Sequence, residues 1–375
     1  LVGRFSSSDP NMQNIPSHIK DIRQMFVASP GYVLMSSDFS QQEPKALAAL
    51  CKQQGDSQMY DTFMAGKDLY SEIASKSFNK SYEDCLEFYL DENGKKTDKV
   101  NAKGKELRQN AKSILLGVLY GRGVASIGEQ LKCSTEKAQA IKDSVFRAFP
   151  AIKKFESDSL AMAREIGYVT TVCGRKRRLP DLMLDEYEFN WINGVNPNVD
   201  VLDFDSDYDS EVPERLRRKY LTQLHSCRFN EKRKIFERAN KEGIWIVDNG
   251  AKIADATRQC VNSRIQGSAA DLTKLAMVYT SRSERLKELG FRLLIQVHDE
   301  LIGECPEENM EECSELLANL MSKSAEKILE MPVKCDVDLM YAWYGEKIDG
   351  TQMQERESKT SHAMDAELRG QHGNK

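Results

Sequence analysis

Segments with strand character gather near the two ends of this chain, and a long helical stretch lies between them. Residues 31–38, Gly31-Tyr-Val-Leu-Met-Ser-Ser-Asp38, form a short apolar run that ends in an acid. Residues 291–305 read as a hairpin whose turn is His298-Asp299. Residues 333–339 alternate apolar and polar side chains with the period of a half-buried strand. Between these segments, helical patterns cover 41–52, 105–121, 135–148, 151–166 and 256–288, with Pro150 and Gly167 as stops; another follows the hairpin at 307–330. This order predicts an α+β fold, one sheet built from both chain ends and interrupted by a helical insertion.

Composition sets outer limits. The 375 residues are 40% hydrophobic and 30% charged, which fits a soluble globular chain of two or three domain-sized units. No apolar run approaches the ~18 residues needed to span a bilayer, so no membrane partner is expected. The nine cysteines include no C-x-x-C pair and read as buried thiols in a reducing, cytoplasmic compartment rather than a disulfide frame or zinc site. The net charge of −5 weighs against a nucleic-acid partner, but phosphate affinity needs a local positive cleft and not a positive total. The chain starts at Leu1 without Met, as a fragment would.

Two segments look inserted, 80–104 and 182–250. The second begins acidic (Asp200, Asp203, Asp205, Asp207, Asp209) and turns basic (Arg215, Arg217, Arg218, Lys219). Alternating Asp can mean calcium, but the Gly and closing Glu of an EF-hand loop are missing, and a solvated acidic loop is the better reading. The polar stretch after Gly350 is expected to be disordered.

Chemistry enters with Asp38, at a strand end, and Asp299, in the hairpin turn. Two such acids could hold a pair of Mg²⁺ ions, which prefer hard oxygen ligands and stabilise both oxygens of an in-line phosphoryl transfer. Surface acids are the plain alternative. The helix at 105–121 places Arg108, Lys112, Leu116 and Tyr120 at i+4 steps along one face. Two cations followed by apolar and aromatic groups suit a nucleotide triphosphate, sugar and base; a solvated basic face is the alternative. Ser40-x-x-Glu43 reads as a capping box for the helix after Asp38.

Six ordered segments together resemble the DNA polymerases of family A, the group of bacterial polymerase I and the T-odd phage replicases. They are Gly3-Arg4 through Gln13-Asn14-Ile15-Pro16, Asp38-Phe-Ser-Gln-Gln-Glu43, Arg108 through Lys112, Leu116 and Tyr120 to Gly121, Gly174-Arg175 through Asp181, Arg258 through Asn262 to Gln266-Gly267, and Gln296-Val-His-Asp-Glu300. The resemblance implies a right-hand core: palm over 1–64 and 255–346, fingers over 65–254 with the two insertions, and a polar tail over 347–375. It places the thumb and 3′→5′ exonuclease upstream of Gly3, so neither is expected here; a separate or upstream segment would supply them.

The resemblance also implies roles. Asp38, Asp299 and the Phe39 carbonyl would bind two Mg²⁺, with Glu300 nearby. Arg108 and Lys112 would bind the incoming dNTP triphosphate, and Lys112 would protonate the departing pyrophosphate. Gln41, Glu43, Leu116 and Tyr120 would line the nucleotide site, with Glu43 also excluding a ribose 2′-OH. Arg4, Gln266 and His298 would reach the primer terminus, Arg258 and Asn262 the template, Gln13 and Asn14 the duplex, and Arg175 the template backbone. Primer-template DNA, dNTPs and replication factors are the implied partners.

Several positions depart from the family pattern. Leu116 stands for an aromatic residue and Leu115 for Asn, Pro44 for Leu, Lys45 for Arg, and Tyr70 for His. None removes a metal ligand. Leu116 and the insertions point to a phage-like replicative enzyme acting in a bacterial host cytoplasm. A single-subunit RNA polymerase and a non-catalytic nucleic-acid-binding core are the competing readings. Glu43 and the Gln296–Glu300 string argue against the first, and the retained acids against the second.

Overall fold

A computed structural model describes residues 2–16, 19–192 and 211–348. The tail after Gly350 and the acidic run at 200–209 lie outside the described residues. The described residues fold as two compact units: those within 1–157, 170–177 and 262–348 form one, and those within 158–169 and 178–261 the other. These cuts differ from the palm and fingers boundaries expected at 64/65 and 254/255.

In chain order, the elements begin with a short helix α1 (Lys20–Gln24), the strand β1 (Tyr32–Phe39), and helices α2 (Gln42–Gln53), α3 (Gln58–Met64) and α4 (Leu69–Phe78). A small hairpin, β2 (Phe88–Leu90) and β3 (Lys96–Val100), precedes α5 (Ala102–Leu119), α6 (Val124–Gln130), α7 (Thr135–Ala148) and α8 (Pro150–Ile166). Next come β4 (Tyr168–Thr170), β5 (Lys176–Arg178) and β6 (Tyr187–Trp191), then α9 (Glu214–Ser226), α10 (Lys232–Lys241) and β7 (Ile244–Asp248). Helix α11 (Gly250–Arg282) and the short α12 (Glu284–Glu288) lead to the hairpin β8 (Arg292–Val297) and β9 (Glu300–Pro306), α13 (Met310–Leu329) and β10 (Cys335–Met340).

The first unit is built on a four-stranded antiparallel sheet in the order β10-β1-β9-β8. The expected sheet from both chain ends is therefore present. Side chains alternate along β1: Val33, Met35 and Phe39 are buried, while Ser36 and Asp38 project from the opposite face. Helix α13 packs against β1, β9 and β10, with Cys313, Leu317 and Met321 fully buried. Helix α2 is buried from Ala46 to Cys51, as befits a helix enclosed by others.

Three local findings correct or refine the sequence reading. The capping box at Ser40 does not form: Gln41 is the N-cap, at φ 55, with no side-chain cap bond. Ser40 is still leaving the strand, its N–H bonded to the Lys334 carbonyl at 3.0 Å, so Glu43 is free for other partners. Pro44 is the third residue of α2, where the missing N–H would have no helical acceptor anyway. Both insertions contain folded parts among the described residues. In 80–104 the β2–β3 hairpin forms, and in 182–250 strands β6 and β7 pair antiparallel.

Candidate active site

The sheet register gathers the acids. Asp38 on β1 lies opposite Glu300 on β9 and Asp336 on β10, and Ser36 lies opposite Asp338. Directly opposed strand residues project from the same face, so these carboxylates share one surface. Asp299 joins them from the two-residue turn between β8 and β9, whose first residue, His298, is left-handed at φ 56. Asp38 and Asp299 line both clefts that meet here, of about 720 and 540 Å³.

Like charges placed opposite each other destabilise a sheet. Their effect is visible on Asp38, whose carboxyl is pushed up to about 7 by burial first and then by Asp299 and Glu300. Solvent touches Asp38 through the cleft mouth, while packed protein flanks it on the other sides. Burial also raises Glu300, against the opposing hydrogen bond from the Ser36 hydroxyl. Lys347 pairs with Asp338 at 2.6 Å, and Arg23 acts on Glu300; the carboxylate oxygens of Asp38 and Asp299 suit a hard divalent cation. Among the described residues no group of three or more His, Cys, Asp or Glu forms a ready metal cage. Mg²⁺ does not need one, because it is commonly bound by one or two carboxylates together with water and substrate phosphate. Asp38 and Asp299 fit that requirement.

Helix α5 supplies the cationic wall of the smaller cleft. Arg108, Lys112 and Leu116 line it together with Gln41, Glu43, Pro44 and Tyr70. The opposite face of α5, with Ala111, Ile114, Leu115 and Leu119, is buried. The two neighbouring leucines thus differ: Leu115 is core and Leu116 faces the cleft. The helix ends where Gly121 turns left-handed at φ 65, and Tyr120 follows one residue beyond its last turn.

Arg108 is held by an acid that the sequence reading passed over. Asp68, the N-cap of α4, accepts two hydrogen bonds from its guanidinium, at 3.0 and 2.9 Å. Asp68 also accepts from Gln41 Nε2 at 3.0 Å. Its position before Leu69-Tyr70-Ser71 carried an N-cap signal, but nothing local pointed to Arg108. Tyr70 packs beneath, its ring centroid 5.3 Å from the Arg108 guanidinium and 5.8 Å from Lys112 Nζ.

Glu43 closes the other side of the cleft. It accepts a hydrogen bond from Arg4 at 2.5 Å and another from the Tyr120 hydroxyl. Burial and the Glu43 charge raise Tyr120 well above the ordinary phenol range, so it stays a donor. Gln266 also lies beside that hydroxyl. Gln13 donates to Gln296 at its carbonyl (3.1 Å) and side-chain oxygen (2.9 Å), tying the N-terminal segment to the hairpin. Gln13, Asn14 and His298 line the larger cleft, joined by Arg23 and Lys347, which the sequence reading did not single out.

The remaining expected DNA contacts are not gathered in these clefts. Arg175 spends its donors on protein: Nε on Asp271 at 2.7 Å and Nη2 on the Val2 and Gly267 carbonyls, both at 2.9 Å. That is a structural clamp, because these acceptors take the place of phosphate oxygens. Asn262 has its side-chain oxygen buried without a donor. Arg258 belongs to the second unit and pairs with Asp255 at 3.2 Å.

Comparison with known proteins identifies the family. The sequence model of DNA polymerase family A matches residues 1–191 and 216–345. DNA polymerase I of Chloroflexus aurantiacus is 30% identical over 91% of this chain and 28% of its own length. The thermostable DNA polymerase I of Thermus aquaticus is 30% identical over 92% of the chain and 31% of its own length. This chain thus spans about a third or less of such relatives. Among solved structures, the polymerase domain of Pol1 from M. smegmatis, in complex with DNA primer-template and dNTP, matches with a TM-score of 0.63 and 28% identity, over 92% of this chain and 46% of that one. Among the described residues no helix is long and apolar enough to cross a membrane.

Proposed function

This chain belongs to DNA polymerase family A, and we propose that it adds deoxynucleotides to a primer 3′-hydroxyl under the direction of a template strand. One observation carries the reading: Asp38 and Asp299 share a cleft with the cationic face of Arg108 and Lys112. Phosphoryl transfer asks for that combination, since it is governed by positioning and charge and needs little covalent chemistry from the protein.

Asp38, Asp299 and the Phe39 carbonyl are the groups that would hold two Mg²⁺. Bound there, such ions would supply charge to offset the phosphates and would make the primer hydroxyl more acidic. Arg108 and Lys112 bind the triphosphate from the opposite wall, and Lys112 gives a proton to the leaving pyrophosphate. Leu116 packs on the sugar with an aliphatic surface. Glu43, fixed by Arg4 and Tyr120, fills the space a 2′-hydroxyl would need. Gln13, Asn14, Gln266 and His298 hold the primer end of the duplex, and Arg258 and Asn262 the template. The steep selection of correct pairs comes from closure of α5 on a fitting base pair. Leu116 and the two insertions support a replicative role of phage type in a bacterial cytoplasm.

The deciding experiment is primer extension with dNTPs and with rNTPs, each with and without Mg²⁺. Extension is expected with dNTPs and Mg²⁺ only. Equal use of rNTPs would favour an RNA polymerase, and no extension under any condition a non-catalytic nucleic-acid-binding core.

A further inference from the structure

The segment joining β6 to β7 has a core of its own. Tyr187, Trp191, Tyr220, Leu224, Ile235 and Ile244 are buried together there. Helix α10 therefore has a committed inner face, with Ile235 and Ala239 buried, and an outer face that the core does not need. That outer face is cationic. From Arg228 to Lys241 there are six basic and two acidic side chains, in a chain whose net charge is −5. Arg233, Lys234, Arg238 and Lys241 are all exposed. Arg233 meets Glu237 at 3.1 Å, an exposed i,i+4 pair of the kind that costs little to exchange for a phosphate.

An aromatic side chain stands beside these cations. Phe229, in the turn that leads into α10, is 90% exposed. No packing reason places a Phe in that turn. Cations alone fit any polyanion, but an exposed ring next to them offers a stacking face for a base. Bases in a duplex are already stacked on each other, so the combination selects a single strand. A primer-template has one such stretch, the unread template.

We propose that α10 and the turn bearing Phe229 bind single-stranded nucleic acid, and that in the working enzyme they hold the unread template. The second half of that statement rests on the polymerase reading, and the first half does not.

The test uses the full chain and two primer-templates, one with a single-nucleotide 5′ overhang and one with an overhang of about 15 nucleotides, the upper range for a single-strand site. Binding is followed by fluorescence anisotropy. The wild-type protein should bind the long overhang at least about fivefold more tightly, from one or two extra stacking and phosphate contacts. A variant carrying Arg233→Gln, Lys234→Gln, Arg238→Gln and Lys241→Gln should lose that gain and reduce the long-overhang salt slope by about 3. Phe229→Ala should lose a large part of the gain. Both should bind and extend the short-overhang substrate like wild type, which shows that fold and active site are intact. A gain that survives the four-Gln change overturns the proposal. A gain lost with the charges but indifferent to Phe229 overturns the single-strand assignment. If the wild-type protein fails to extend the short substrate, the polymerase reading falls, while the overhang comparison still judges this surface.

Discussion

Arg108 lies against Asp68 in a two-pronged contact, and the acid is anchored in turn as the N-cap of α4 through Ser71 N–H at 2.8 Å. The cation that faces the smaller cleft is therefore aimed from behind by a neighbouring helix. Asp68→Asn keeps a cap acceptor but removes the charge. We expect the KM for dNTP to rise about 3- to 10-fold with kcat little changed, since about 1 kcal/mol of a charge-assisted contact is at stake. Steady-state kinetics with varied dNTP check this; an unchanged KM would leave Asp68 a cap only.

Glu43 is held at both oxygens, by Arg4 and by Tyr120. On the proposed role of Glu43, Glu43→Ala opens the space beneath a 2′-hydroxyl. The ratio of dNTP to rNTP incorporation should fall at least about 10-fold, the scale of a sterically imposed preference. Tyr120→Phe, which removes one of the two bonds, should show a smaller fall. Competition assays on one template measure both.

Lys112 lines the cleft with Arg108, one turn further along α5. Lys112→Ala should cost at least about 10²-fold in rate, the usual effect of losing one preorganised charge contact. A single-turnover rate reduced less than threefold would refute its part in the chemistry.

Asp38 gives a pH signature. Its carboxyl titrates near 7 in the fold against 3.8 for an ordinary Asp, so between those values the folded protein holds a proton that the unfolded chain has lost. The contribution to stability is full below about pH 3.8 and disappears as the pH rises through 7. In EDTA the thermal midpoint should therefore fall between pH 5 and pH 8, and Asp38→Asn should flatten that fall. Mg²⁺ binding must displace the same proton, so affinity should increase up to about pH 7 and level off above it. Calorimetric scans and Mg²⁺ titrations at several pH values decide the matter.

Gly104, in the first turn of α5, has no room for a side chain: a Cβ there would stand 2.1 Å from the Leu86 carbonyl oxygen. Gly104→Ala should destabilise the protein by about 1–3 kcal/mol despite its better helix propensity. Denaturant unfolding measures the loss.

The parts of the site that were legible in the sequence are those set by local periodicity. Asp38 ends an apolar run, Asp299 sits in a two-residue turn, and the i+4 steps of α5 line up Arg108, Lys112 and Leu116. The parts that were not legible come from tertiary meetings. Asp68 becomes important only because α4 starts beside α5, and Asp336 and Asp338 only because β10 pairs with β1. The capping box expected between Ser40 and Glu43 does not form, because Ser40 stays bound to Lys334 and the helix begins later. The β2–β3 hairpin had its Asn93-Gly94 turn signal, but its strands are short and charged. Helices α9 and α10 escaped for a similar reason, each burying only two side chains.

The strand order β10-β1-β9-β8 also sets a timetable. Asp38 is made well before the hairpin that carries Asp299, and β1 has no partner strand until β9 follows it. Such distant pairings are slow to form. The cleft that Asp38 and Asp299 share is therefore completed only when that distant hairpin folds against β1.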